Sequence, residues 1–90
     1  MNISVTSSGE SKYRVKVDEG ATATEHEVTV TTADIERYAP GAAAERLIEA
    51  SFEFLLEREP KESILSRFAL PVIERYFPEY PAQIRTRLRG

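Results

Sequence analysis

The chain has no cysteine, which removes disulfide frameworks and thiolate nucleophiles and makes a reducing, cytoplasmic setting the expectation. Its four glycines stand apart at positions 9, 20, 41 and 90, so no glycine-rich loop is available to cradle a phosphate. Imidazole chemistry is limited to one residue, His26. No stretch approaches the ~18 consecutive apolar residues of a membrane span. The opening residues MNISVTSSGESK lack the basic start and apolar run of a signal or transit peptide. Internal repeats, low-complexity tracts and linkers are also missing, so residues 1–90 read as one domain. At that length folding buries about 60 to 65% of the surface an extended chain would expose.

What is present begins with charge. The net charge of -3 conceals an asymmetry: residues 1–60 carry 6 basic and 12 acidic side chains, residues 61–90 carry 6 and 3. Mutual attraction of the two parts in the folded chain is the simplest consequence, and attraction of a charged partner is the other.

Glu45, Glu49, Glu53 and Glu57 recur at every fourth position, opposite Ala44, Leu47, Ile48, Phe52, Phe54, Leu55 and Leu56. The spacing predicts a helix over 42–59, ended by Pro60. Its apolar arc covers roughly 200° of circumference, about twice the usual surface-helix stripe. Such a helix buries two sides, against a sheet and short helices or against a second subunit. Leu47 and Phe54, at one margin of the arc, are the expected interface residues of a homodimer.

Strict alternation in residues 12–17 predicts a half-buried strand with Tyr13, Val15 and Val17 on one face. A second alternation over 25–31 places His26, Val28 and Val30 on one face. Antiparallel pairing with Tyr13 opposite Val30 and Val15 opposite Val28 keeps the apolar faces together and sets Lys16 opposite Glu27. The connection 18–24 reads as a mobile loop, and residues 2–6 as a first strand ahead of an SSGES turn. Thr31 to Asp34 matches a helix-start signature. A short helix carrying Ile35 and Tyr38 then runs to Pro40-Gly41. Further short helices are expected over 61–68, after Pro71, and to about residue 88, where Tyr80, Ile84 and Leu88 stand four apart.

Candidate chemistry is sparse. Like charges four apart oppose helix formation by roughly 0.2 to 0.5 kcal/mol per pair, so the glutamates call for nearby cations, from Arg46 or from Arg85, Arg87 and Arg89 reaching over the acidic face. One helix face fans its carboxylates apart, which is poor geometry for a metal, so no metal or cofactor is expected. Recognition of a basic partner by Glu45, Glu49, Glu53 and Glu57 is the functional counterpart of that intramolecular pairing. His26 shares a strand face with valines, a setting for packing or hydrogen bonding rather than general acid/base work. The block SILSRFALPVIERY, residues 63–76, has the outline of a helix-turn-helix, but Arg75 and Pro78 fall where apolar residues should face inward. The chain is acidic, with a pI near 5.2, against DNA binding. Pro78-Glu79-Tyr80-Pro81 formally matches a PxxP ligand but reads as a bend.

Across residues 51–81 the ordered succession FLLERE, PKESIL, LPVIERYF and PEYP resembles small uncharacterised bacterial proteins. The resemblance implies a bacterial cytosolic domain and supplies no catalytic or binding residue.

The expectation is therefore an α+β domain. A small antiparallel meander of two or three strands, residues 2–31, packs on a long amphipathic helix with several short helices, residues 32–88. The expected function is noncatalytic protein binding with a homodimer as one form. The alternative is a small DNA-binding regulator using the basic segment Arg85, Arg87 and Arg89. Catalytic residues, nucleic acid as the principal partner and membrane association are not expected.

Overall fold

Alternation of apolar and charged side chains dictates the first half of the chain, and the computed structural model, which describes residues 1–89, folds it into strands Asn2–Gly9 (β1), Lys12–Asp18 (β2) and Ala23–Thr29 (β3). They form an antiparallel meander in which Ile3, Val5, Tyr13, Val15, Val17, His26 and Val28 share the covered face. β1 runs on to Gly9, longer than expected, and the chain reverses through Glu10 and Ser11, the latter at φ 60°.

The β2–β3 register differs from the expected one by two residues: Tyr13 lies opposite Val28, Val15 opposite His26, and Lys16 opposite Glu25. A slip of two preserves which side chains face the core, so alternation cannot distinguish the two pairings. The turn decides. Glu19 N–H donates to Thr22 O at 2.9 Å, Gly20 takes φ 94° and donates to Asp18 Oδ1 at 2.8 Å. The connection is a hydrogen-bonded turn between Asp18 and Ala23, shorter than the expected loop over 18–24.

Thr31 caps helix Thr32–Tyr38 (α1) reciprocally with Asp34, at 3.2 Å from the Asp34 N–H and 2.9 Å back to the Thr31 N–H. Gly41, at φ 86°, turns the chain into helix Ala44–Leu56 (α2). At 13 residues α2 is shorter at both ends than 42–59. Pro60 disfavours helical backbone at the residue before it, and the N–H groups of Arg58 and Glu59 both close on Leu55 O, at 2.9 Å each.

The next segment corrects the sequence expectation. Instead of a helix over 61–68 there is a single 3-10 turn, Lys61–Ser63, followed by a fourth strand, Arg67–Ala69 (β4), parallel to β3. The sheet is thus mixed, in the order β1-β2-β3-β4. Phe68 enters the core beside Val28, whereas Leu65 is 46% exposed. Two short elements, Val72–Tyr76 (α3) and Tyr80–Arg89 (α4), complete the helical side.

α2 does bury two sides. Towards the sheet, the Phe52 ring meets His26 at 5.3 Å and Phe68 at 6.1 Å. On its other side, Phe54 meets Phe77 at 5.9 Å and Tyr80 at 5.4 Å, both edge to face. Tyr80 also meets Tyr38 of α1 at 5.1 Å. Serine 51 links the layers: its Oγ–H donates to Leu47 O at 2.7 Å, leaving the oxygen to accept from the Tyr80 hydroxyl at 2.7 Å. Burial holds the Tyr80 hydroxyl in its neutral form, well above the ordinary tyrosine range.

Candidate functional site

Leu47 and Phe54, expected at an interface between copies, are both 0% exposed. Phe54 is covered by Phe77 and by Tyr80 of α4, and the guanidinium of Arg58 lies 3.7 Å above its ring. The wide apolar arc is closed by the chain itself, so its width gives no argument for a second subunit.

The acidic row is exposed or half-exposed along α2. Glu49 pairs with Arg46 at 3.1 Å, and Glu57 with Arg58 at 3.4 Å and with Arg87 of α4. The Arg87 hydrogen bond holds the Glu57 carboxyl below its usual range. Glu45 and Glu53 have no ion-pair partner among the described residues. Among those residues no group of three or more His, Cys, Asp or Glu is placed to hold a metal ion.

The three C-terminal arginines do not form one basic surface. Arg87 turns inward to Glu57 and to the Phe54 ring, 5.8 Å away, while Arg85 donates to Arg37 O at 3.2 Å. Arg89 is exposed. Since residues 61–69 form a turn and a strand, the helix-turn-helix outline over 63–76 has no first helix.

His26 is 3% exposed, and both ring nitrogens are engaged. Nδ1 lies 2.8 Å from Leu65 O, which can only accept, so Nδ1 carries the proton and Nε2 accepts from the Thr24 hydroxyl at 2.8 Å. The histidine thus pins the chain entering β4 to β3. Beside it an open polar depression is lined by Arg14, Glu25, Glu27, Ser66 and Arg67. Its carboxylates are paired, Glu25 with Arg14 at 3.2 Å and Glu27 with Arg67 at 3.5 Å.

Lys61, buried like His26 and Ser51, is a polar residue that the sequence did not single out. Its ammonium, on a side chain 2% exposed, donates to Glu19 and Thr22 at 2.7 Å each and to Glu62 at 2.6 Å. All three protons are satisfied. The Glu19 hydrogen bond, then that of Glu62, holds the ammonium pKa above its ordinary value. This cluster ties the β2–β3 turn to the chain after α2. A similar anchor joins α1 to α3, where Glu74 accepts from Tyr38 at 2.8 Å and Arg37 at 2.9 Å.

The feature with the clearest capacity to bind is a groove of about 220 Å³ between the end of α2, the 3-10 turn and α3. Leu55, Ile64, Phe68 and Ile73 form its buried lining, and the exposed Leu65 and Tyr76 stand at its rim, 46% and 66% exposed. One carboxylate, Glu59, joins this apolar wall. Burial raises its pKa above the ordinary glutamate value, and no side-chain hydrogen bond or ion pair among the described residues engages it. Nine of the ten lining residues fall within the sequence blocks FLLERE, PKESIL and LPVIERYF. The groove was not foreseen because its floor and rim are set by the 3-10 turn and β4, where the sequence pointed to a helix over 61–68.

Comparison of the chain with protein-family models, curated proteins and solved structures gave no match.

Proposed function

We propose that this chain is a noncatalytic protein-binding domain whose groove between α2, the 3-10 turn and α3 receives an apolar side chain of a partner. The observation that carries the reading is a concave apolar surface with Leu65 and Tyr76 exposed at its rim. Contiguous exposed apolar surface with a polar surround is characteristic of interaction sites, and apolar pockets with few polar groups are characteristic of ligand sites. The paired carboxylates and fully hydrogen-bonded His26 support a noncatalytic role. A cytoplasmic setting in a bacterium is the accompanying inference from the lack of cysteine and the resemblance of residues 51–81.

Titration of the 15N-labelled protein with a capped peptide bearing leucine and phenylalanine tests the reading. Amide shifts are expected to cluster at residues 55–77, and Leu65→Asp should abolish them while preserving the remaining spectrum. Shifts confined to other surfaces, or no shifts at millimolar peptide, would refute it.

The DNA-binding alternative rests on Arg85 and Arg89, since Arg87 is committed to Glu57. Salt-sensitive retention on duplex DNA that Arg85→Ala/Arg89→Ala abolishes would favour it.

A further inference from the structure

We infer that Glu59 makes the groove selective for a partner segment that presents a cationic side chain beside its apolar anchor. This rests on the groove being the binding surface, and it adds the chemistry of what enters. Among the described residues Glu59 is the only charged one lining the groove. Two cations are within two positions of it in sequence, and both are used elsewhere. Arg58 turns away to Glu79 at 3.1 Å, to Phe54 O at 3.1 Å and over the Phe54 ring. Lys61 spends all three protons on Glu19, Thr22 and Glu62. Arg67, on the adjacent strand, pairs with Glu27.

The result is a partly desolvated carboxylate against an apolar wall with no ion-pair partner among the described residues. Burial without a partner is unfavourable to an ionised carboxyl. An arriving ammonium or guanidinium supplies the absent counter-charge, while its aliphatic stem adds to the apolar contact. An acidic segment meets repulsion at the same point, and a neutral one leaves the carboxylate unpaired. The groove therefore discriminates by charge as well as by fit. A basic amphipathic segment of another protein is the occupant this complementarity specifies.

The experiment compares two capped peptides with identical leucine and phenylalanine anchors, one carrying arginine beside them and the other the neutral isostere citrulline. Affinities for the full chain are read by NMR titration at 0.15 M salt. The native protein should bind the arginine peptide about 5- to 10-fold more tightly, between the small effect of an exposed ion pair and the larger one of a desolvated pair. Glu59→Gln should erase that preference and leave the citrulline affinity unchanged. Glu53→Gln, which removes the same charge from the exposed face of α2, should preserve it. Equal binding of the two peptides by the native chain, or equal loss of preference in both variants, would overturn the charge selectivity while leaving the groove reading standing. Binding of neither peptide would overturn the groove reading and this inference with it.

Discussion

Replacing Phe54 separates a core residue from an interface residue by measurement. Its ring is 0% exposed and packs edge to face on Phe77 and Tyr80, with Arg58 above it. Truncation of a buried phenylalanine to alanine costs about 3 to 5 kcal/mol. The stability of a domain this size is about 5 to 13 kcal/mol, taking roughly 0.05 to 0.15 per residue. Alanine would therefore remove a large part of the total. Phe54→Leu keeps most of the volume and should cost about 1 to 2 kcal/mol, mainly the lost edge contacts. With a urea slope of about 1 kcal/mol/M, the midpoint should fall by about 1 to 2 M. The decisive control is concentration. If Phe54 lies in a monomer core, far-UV circular dichroism should give the same midpoint at 1 and 100 μM protein, for wild type and variant alike. A dimer that unfolds as it dissociates would gain about 2.7 kcal/mol over the same hundredfold range, from RT ln 100. A wild-type midpoint that climbs with concentration, and a Phe54→Leu midpoint that does not, would refute the core assignment.

Alkaline pH should weaken the fold. Burial, reinforced by the hydrogen bond to Glu74, pushes the Tyr38 hydroxyl up to about 12, and Tyr80 shifts the same way. For acids with raised folded pKa values the neutral form is the stable one, so their contribution is complete below the ordinary tyrosine value of 10.0 and declines as pH rises to about 12. Urea midpoints should fall across that window, and Tyr38→Phe should flatten the decline; a constant midpoint to pH 12 would contradict the reasoning. Lys61→Met should release the β2–β3 turn, raising amide exchange at residues 19–22 while β2 stays protected. Unchanged exchange there would show that the ammonium cluster is not what orders the turn.

Legibility of the fold followed periodicity. β2, β3 and α2 were readable because each repeats its apolar pattern over at least two periods, and the Thr31–Asp34 cap was readable because its chemistry is local. β4 was not. Three residues, Arg67–Ala69, contain a single inward side chain, Phe68, and one position defines no period. Its strand conformation is set by β3, through Glu27 N–H to Ser66 O at 2.8 Å and Leu70 N–H to Thr29 O at 3.0 Å. The candidate site suffered the same blindness. Glu59 and Leu65 look ordinary in sequence, and only the replacement of a helix by a turn and a strand sets them at one groove.

Sequence alone determined the α+β class, the face each long strand buries, and that α2 must be covered on two sides. These follow from side-chain spacing, a property of neighbours along the chain. Tertiary structure decided what covers them: α4 and Phe77 rather than a second copy on Phe54, a parallel fourth strand rather than a helix, and a register displaced by two. Each of these depends on contacts between residues far apart in the chain, whose energies no local pattern records. The groove, and the carboxylate left unpaired at its wall, exist only once those contacts have formed.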